Sequence, residues 1–522
     1  MIKPKMVSSS SSISNLRITK TLMTLLIINF LYQTQTISAV TNSNSNSHFS
    51  RFSRHRSSSS KTKQGFLASV QESMNHALLA RSLAFNLTLS HRTAQVHVAD
   101  PIHDCLELLD DTLEMLSRIT SSDDDEDVHT WLSATLTNQD TCEQSLQEKS
   151  NSYKHGITMD FVARNLSSLL TNSLELFVSV KSKPRRLLSE NEQFPRFVTS
   201  SEERRLLEAS VEELKIDAVV AADGSGTHKT VGEALLASSL ASSGGRTVIH
   251  LKAGTYKENI NIPTKQKNVM LVGDGKGITV IVGSRSNRGG YTTYKTATVA
   301  AMGDGFIARD ITFVNSAGPN SEQAVALRVG ADKSVVYRCS VEGYQDSLYT
   351  HSKRQFYRDT DITGTVDFIF GNSAAVFQSC NIVARKPLSG QTNFVTAQGR
   401  SNPGQNTGIS IQNCKITAES TTYLGRPWKE YSRTVVMQSF LGGSIHPSGW
   451  SPWSGGFGLK TLFYGEFGNS GPGSSVSGRV KWTGYHSSLT VKEAEGFTVA
   501  GFIDGAMWLP STGVSFDSGL VK

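Results

Sequence analysis

Cysteine is scarce in this chain, with five in 522 residues. The cysteines form no Cys-x-x-Cys motif and no cluster with histidine at metal-ligand spacing, so the sequence predicts neither a metal site nor a cofactor. The 13 histidines are scattered as well, and no serine in a Gly-x-Ser-x-Gly turn is accompanied by triad partners. This absence disfavours an ordinary serine hydrolase.

No Lys/Arg stripe and no nucleic-acid motif marks the chain, although its 52 Lys and Arg residues exceed its 45 Asp and Glu residues by 7. DNA and RNA are therefore not expected as partners. The small basic excess is compatible with a polyanionic partner, and equally with a surplus that keeps the protein soluble.

One apolar run lies near the N-terminus, between Leu22 and Tyr32, behind several Lys and Arg residues. A basic segment followed by an apolar run of this length is typical of a secretory signal, with Ser38-Ala39 as a weak cleavage site. Residues 1–40 are therefore predicted to be a signal. An uncleaved anchor is the alternative, although the run is short for a membrane span of ~20 residues.

The next part of the chain is predicted to be helical after a disordered start. Residues 41–63 are rich in Ser and Asn and lack the apolar content needed to fold. Within 64–183, leucines recur at steps of three and four residues, which is typical of helices in a small bundle. Cys105 and Cys142 fall on successive helices, where we expect a disulfide because secretion permits one.

Two kinds of processing signal accompany this helical region. Asn86 and Asn165 begin Asn-x-Ser/Thr sequons, which predict glycosylation. Residues 184–207 have the composition of a linker, and exposed linkers are preferred sites of proteolysis. The linker contains one tetrapeptide twice, as Arg185-Arg186-Leu187-Leu188 and Arg204-Arg205-Leu206-Leu207. The repetition predicts a site for a processing protease.

Residues 208–522 consist mainly of short β-branched runs separated by Gly and Asn, with one short helix expected at Val231 to Ser239. Val341, Ile362 and Ile382 occupy equivalent positions at steps of 21 and 20 residues. Strands that repeat at this period, without helices between them, predict a right-handed parallel β-helix. A sandwich would show hairpin turns at shorter spacing.

The repeat brings two aspartates together. Asp346 and Asp367 occupy the same position in two copies of the pattern, 21 residues apart. On adjacent turns of a β-helix they would lie on parallel strands ~4.8 Å apart. Two carboxylates this close do not both ionise freely, so one becomes a proton donor while the other stays ionised. This pair is the leading candidate for catalysis.

The same stacking predicts a second disulfide. Cys380 and Cys414 are expected on adjacent turns, with Cα atoms about 5 Å apart and within reach of a bond. Cys339 is then left as a buried free thiol.

Five motifs, in order, resemble the signatures of plant pectin methylesterases (pectinesterases). They are Gly254-Thr255-Tyr256-Lys257-Glu258, Gln323-Ala324-Val325-Ala326-Leu327-Arg328, the Gly343–Tyr349 stretch, Asp367-Phe368-Ile369-Phe370-Gly371-Asn372 and Leu424-Gly425-Arg426-Pro427-Trp428. The likeness extends through 216–510. The helical region is similar to the inhibitor-like pro-region of longer family members, with two of its usual four cysteines.

The resemblance implies a role for each residue of the pair. Asp367 would be the nucleophile, and Asp346 would act as the general acid and then as the base. Gln345 and Gln323 would stabilise the negative charge that develops on the substrate oxygen, as neutral amide donors do in other acyl-transfer sites.

The resemblance also implies the substrate and the setting. Thr293, Gln323, Arg426 and Trp428 would contact the sugar chain of pectin (homogalacturonan), and a proteinaceous pectinesterase inhibitor is a possible partner. The expected protein is a secreted monomer of the cell wall, or apoplast.

Two other functions remain open from the residues alone. Carboxylates ~5 Å apart also suit a retaining glycosidase. A protein that only binds pectin, or whose helical part holds another esterase inactive, is the non-enzymatic alternative.

Overall fold

A computed structural model describes residues 57–91, 100–149, 156–181, 210–240 and 245–521. The predicted signal or anchor, and the linker with its two Arg-Arg-Leu-Leu sites, lie outside these ranges. The first helix begins at Ser57, so residues 57–63, predicted to be disordered, belong to a helix.

Within the described ranges, four helices form the N-terminal helical region, as the leucine spacing predicted. They are α1 (Ser57–His91), α2 (Pro101–Ile119), α3 (Asp125–Glu148) and α4 (Gly156–Val180). No helix in the described ranges is long and apolar enough to cross a membrane.

Capping residues begin α2 and α3, and one disulfide joins these two helices. The Asp100 side chain accepts a hydrogen bond from the backbone N–H of Ile102, and Pro101 takes the first helical position of α2, where its missing N–H costs nothing. Asp124 caps α3 in the same way. The Cys105–Cys142 disulfide joins α2 to α3, which confirms the predicted pairing.

The rest of the chain is built from short strands and a few short helices. The strands are β1 (Ala218–Val220), β2 (Thr247–Leu251), β3 (Gly254–Lys257), β4 (Ile260–Ile262), β5 (Val269–Gly273), β6 (Thr279–Gly283), β7 (Val299–Ala301), β8 (Ile307–Arg309), β9 (Thr312–Asn315), β10 (Leu327–Val329), β11 (Ser334–Tyr337), β12 (Ser340–Glu342), β13 (Leu348–Thr350), β14 (Arg354–Arg358), β15 (Asp361–Gly364), β16 (Ile369–Gly371), β17 (Ala374–Gln378), β18 (Asn381–Ala384), β19 (Asn393–Gln398), β20 (Gly408–Gln412), β21 (Lys415–Ala418), β22 (Thr422–Gly425), β23 (Arg433–Met437), β24 (Phe440–Leu441), β25 (Phe463–Phe467) and β26 (Tyr485–His486). The helices are α5 (Val231–Leu240), α6 (Val491–Glu495), α7 (Val499–Ile503) and α8 (Gly505–Trp508).

These strands form three parallel sheets of eleven, seven and eight strands. Every third strand falls in the same sheet along most of the chain, so each turn of the coil adds one strand to each sheet. Val341 pairs with Ile362, and Ile362 pairs with Ile382, at the predicted steps of 21 and 20 residues. All three side chains are fully buried between the sheets. The parallel β-helix predicted from the period is therefore confirmed.

The second predicted disulfide is absent, because Cys380 and Cys414 are free thiols. They do lie on adjacent turns, since Asn381 pairs with Lys415 and the backbone N–H of Cys380 lies 3.3 Å from the Cys414 sulfur. In-register neighbours on parallel strands point the same way at ~4.8 Å spacing, whereas a disulfide needs Cβ atoms ~3.8 Å apart. Cys339 is also free and buried, as expected.

Buried ion pairs join the helical region to the β-helix. The Lys353 ammonium lies 2.9 Å from the Asp111 carboxylate on α2, and both side chains are almost completely buried. Arg354 contacts Asp127 on α3 at 2.5 Å and Asp332 of the β-helix at 2.6 Å. Removing one partner from such a pair leaves an uncompensated buried charge.

We predict that Asp111→Ala destabilises the intact chain by ~1–3 kcal/mol, because the buried Lys353 ammonium loses its shorter ion pair and is left with the longer contact to Asp304, at 3.4 Å. The neighbouring Asp110 is the matched control, since its pair with Arg81 is exposed. Asp110→Ala should therefore cost only ~0–1 kcal/mol. Thermal and denaturant unfolding of both variants checks this. Equal losses of stability would show that the buried Lys353–Asp111 pair contributes no more to the free energy of unfolding than the exposed Arg81–Asp110 pair does.

Candidate active site

The two aspartates lie at the start of neighbouring strands of the seven-stranded sheet. Asp346 precedes β13 and Asp367 precedes β16, and Leu348 pairs with Ile369 across these strands. The backbone N–H of Asp346 donates to the carbonyl of Val366 at 3.0 Å. The structure thus places the aspartates on adjacent turns at equivalent positions.

Both aspartates have left-handed backbone conformations, with φ of +62° at Asp346 and +52° at Asp367. Asp tolerates this region better than most residues with a side chain. The local turn therefore orients each carboxyl group differently from the side chains of the strand that follows it.

Arg426 contacts one member of the pair. It follows β22 and donates two hydrogen bonds to Asp367, from Nε to Oδ1 at 2.8 Å and from Nη2 to Oδ2 at 2.5 Å. Its guanidinium lies between the rings of Phe394 and Trp453, at 4.1 and 4.3 Å from their centroids. The two rings restrict the guanidinium to the plane in which both hydrogen bonds form. Sequence analysis missed both aromatic residues.

The surroundings of Asp346 and Asp367 affect their pKa values differently. Burial raises the pKa of Asp346 well above its ordinary value, and the charges of Asp367 and Glu148 raise it further. Burial also raises the pKa of Asp367, but the hydrogen bonds and charge of Arg426 oppose that rise. The pKa of Asp346 is therefore raised further than that of Asp367.

The two predicted amide donors lie on adjacent turns beside the pair. The backbone N–H of Ala324, next to Gln323, donates to the carbonyl of Gln345 at 3.2 Å. Both glutamine side chains are half-buried. Gln345 directly precedes Asp346, so an amide and a carboxyl group are presented from consecutive residues.

The other two predicted residues flank this centre. Thr293 begins a 3₁₀ turn, Thr293–Thr296, and its buried hydroxyl makes no hydrogen bond within the described part of the chain. Trp428 is half-buried and meets the Phe370 ring edge-on at 5.9 Å. Phe370 in turn stacks on Tyr349 at 4.2 Å, so an aromatic wall continues from Trp428 along the sheet.

Helix α3 covers the centre. Glu148 Oε2, at the end of α3, accepts hydrogen bonds from the Thr293 backbone N–H at 2.7 Å and from Asn287 Nδ2 at 3.2 Å. Thr141 lies 3.1 Å from His351, and the Asn372 amide donates to Thr137 at 2.9 Å. The void left between α3 and Trp428 measures only about 10 Å³, which is too small for a sugar.

A metal centre is not evident at this site. The described residues contain no group of three or more His, Cys, Asp or Glu side chains that could hold a metal ion. Two carboxyl groups, one guanidinium and two amides are the polar groups that the β-helix brings together.

We predict that Asp346→Asn stabilises the intact chain, and that the gain grows as the pH rises above about 4. A carboxyl group whose pKa is raised by folding adds stability at low pH and loses it as the pH rises towards the folded-state pKa. The asparagine amide of the variant does not ionise, so the variant does not lose stability in this way as the pH rises. Thermal unfolding at pH 4 and pH 7.5 checks this.

Asp361→Asn is the matched control for this measurement. Asp361 lies in the same part of the coil, but its side chain is 38% exposed and pairs with Lys276 at the surface. A similar gain in both variants, or no change with pH in Asp346→Asn, would contradict the prediction.

Comparisons with known proteins show the family of this chain. The profile of the family described as Pectinesterase matches residues 217–506, and that of the Plant invertase/pectin methylesterase inhibitor family matches residues 42–176. The chain is 84% identical over 518 residues to "Probable pectinesterase/pectinesterase inhibitor 16" of Arabidopsis thaliana, covering 99% of this chain and all of the relative. It is 68% identical over 537 residues to "Probable pectinesterase/pectinesterase inhibitor 35" of the same plant, with the same coverage.

Among solved structures, the chain matches the pectin methylesterase from carrot at 54% identity and a TM-score of 0.57. The match covers 60% of this chain and 99% of the carrot protein. The chain therefore belongs to the pectinesterase family, as an enzyme joined in one polypeptide to an inhibitor-like helical region.

Proposed function

We propose that this chain hydrolyses the methyl esters of galacturonate units in cell-wall pectin, releasing methanol, with Asp367 as nucleophile and Asp346 as acid and base. One observation carries the proposal. Two buried carboxyl groups are stacked on adjacent turns, and Arg426 binds only Asp367. This contact opposes the rise that burial causes in the pKa of Asp367, so Asp346 is the member that would hold the proton.

Acyl transfer needs one ionised carboxylate as nucleophile and one protonated carboxyl group as acid. The Asp367 carboxylate attacks the ester carbonyl carbon, and the carbon–methoxy bond breaks as Asp346 gives its proton to the departing oxygen. Asp346, now ionised, takes a proton from water, which attacks the acyl group and releases Asp367. The product is a free galacturonate, and Asp346 is protonated again for the next cycle.

The two amides suit the charge that develops on the carbonyl oxygen. Gln345 and Gln323 are neutral donors, so they can stabilise an oxyanion without forming an ion pair with either aspartate. Thr293 and Trp428 would hold the neighbouring sugars, the first through its hydroxyl, which has no hydrogen-bond partner within the described residues, and the second through the flat face of its ring. Arg426 orients the nucleophile.

Substitution of the pair tests the mechanism. We predict that Asp346→Asn lowers the turnover of methylated pectin by about 10²–10⁴, because the general acid and base is lost. Asp367→Asn should abolish turnover, and Gln345→Ala should lower it by about 10²–10³. Methanol release and acid titration are measured on protein secreted by plant cells.

The control and the competing reactions are read in the same assay. Asp361→Asn should retain normal turnover, because Asp361 lies on the surface. Normal turnover in Asp346→Asn or Asp367→Asn would contradict the mechanism. New reducing ends would indicate a glycosidase, whereas an esterase leaves the polymer length unchanged.

We further propose that the helical region keeps the enzyme inactive until the linker is cut. This is supported by α3, which occupies the cleft with Glu148 beside Thr293 and leaves no room for a sugar at Trp428. The extracellular cell wall is the proposed site of action. Secretion from residues 1–40, glycosylation at Asn86 and Asn165, and a monomeric state remain predictions.

Removal of the dibasic pairs tests this maturation step. We predict that replacing Arg185, Arg186, Arg204 and Arg205 with Gln leaves the secreted chain uncut and inactive on pectin. The wild-type product should begin near Glu208 and be active. N-terminal sequencing and methanol release are measured on the same samples.

Arg196→Gln is the control, because Arg196 is a single basic residue in the same linker. It should be processed and active. Full activity of an uncut chain would contradict the maturation proposal while leaving the catalytic mechanism standing.

A further inference from the structure

Helix α2 places one carboxylate on a pair of cations of the β-helix. The Lys295 ammonium donates a hydrogen bond to Glu107 Oε2. Arg328 Nη2 lies 3.6 Å from Glu107 Oε1, and the Tyr294 hydroxyl donates to the same oxygen at 3.1 Å. A glutamate of the helical region is therefore held by an ammonium, a guanidinium and a phenol, and Asp104 of the same helix lies 3.9 Å from the Lys295 ammonium.

Arg328 has few partners of its own within the β-helix. Its side chain is 1% exposed and lies 3.4 Å from the centroid of the Tyr294 ring. Nη1 lies 3.0 Å from the weakly accepting sulfur of Met302, and Nε makes no hydrogen bond within the described residues. A buried guanidinium needs an anionic partner, so removal of Glu107 would leave the positive charge of Arg328 without its nearby carboxylate.

A cavity of about 100 Å³ adjoins these cations. Its polar lining combines positive charges with side-chain amides, from Asn259, Asn261, Arg285, Tyr294, Lys295 and Arg328. Cations bind a carboxylate, and amides bind hydroxyl groups, so this lining suits a sugar acid. Lys295 belongs to the same 3₁₀ turn as Thr293, so the cavity adjoins the proposed sugar-binding cleft.

We propose that Lys295 and Arg328 form a subsite for the free carboxylate of an unesterified galacturonate, and that Glu107 occupies this subsite while the helical region is docked. The inference rests on the proposed function, because it takes a pectin chain as the ligand. The methyl ester of the same sugar lacks the charge that the two cations require. The subsite therefore distinguishes de-esterified from esterified units.

Binding of a small probe to the intact chain tests the subsite without requiring activity. Glu107→Ala removes the carboxylate that contacts both cations, together with its volume, while Asp104 stays 3.9 Å from Lys295. Isothermal titration should show that this variant binds monogalacturonate at least about tenfold more tightly than the wild type does, and tenfold more tightly than it binds the methyl ester. Glu107→Ala combined with Lys295→Met should lose that gain.

Glu114→Ala is the matched control, since Glu114 lies on the same helix and pairs with the more exposed Lys267, away from the cavity. It should gain no binding. Equal binding of acid and ester by Glu107→Ala, no binding at all, or unchanged binding after Lys295→Met would overturn the proposal.

A second measurement covers the case in which Glu107→Ala does not fold. In the wild-type chain, saturating monogalacturonate should displace Glu107 and speed hydrogen exchange along α2, whereas the methyl ester should not. Identical exchange with both sugars overturns the subsite. If the processed protein releases methanol but the intact chain fails these binding tests, only the subsite is refuted, whereas a processed protein without esterase activity refutes the proposed function.

Discussion

The bidentate contact between Arg426 and Asp367 is the interaction on which the chemistry of this site depends. Stacking alone would present two equivalent buried carboxyl groups, and burial raises the pKa of both. Arg426 removes that equivalence, because its hydrogen bonds and charge oppose the effect of burial on the pKa of Asp367, and we propose that Asp346 therefore holds the proton. Phe394 and Trp453 pack against the guanidinium, so the contact to which we attribute the division of roles is built into the fold.

The β-helix and the helical region act on this centre in opposite ways. The regular register of the coil brings acids, amides and Arg426 to one side of the seven-stranded sheet. The helical region covers them with carboxylates of its own, Glu148 at Thr293 and Glu107 at Lys295. Carboxylates are also what de-esterified pectin would present there, so the docked helices occupy positions that suit the proposed product.

Sequence periodicity predicted the parts of the structure that depend on local repeats. The step of 21 residues was enough to stack Asp346 on Asp367, because register in a parallel coil follows directly from the period. It could not predict that Glu148 would meet Thr293, 145 residues away, since that contact depends on how two regions dock. Cys380 and Cys414 show the limit of the same reasoning: the register was predicted correctly, but parallel side-chain directions prevent the bond.

The protonation of the two aspartates tests the account most directly. Neutron diffraction from deuterated crystals at neutral pH would locate the hydrogen atoms at both carboxyl groups and on the Arg426 guanidinium. We predict one deuteron on Asp346, none on Asp367, and both Arg426 donors directed at Asp367. A deuteron on Asp367, or two ionised carboxylates, would contradict the assignment of acid and nucleophile.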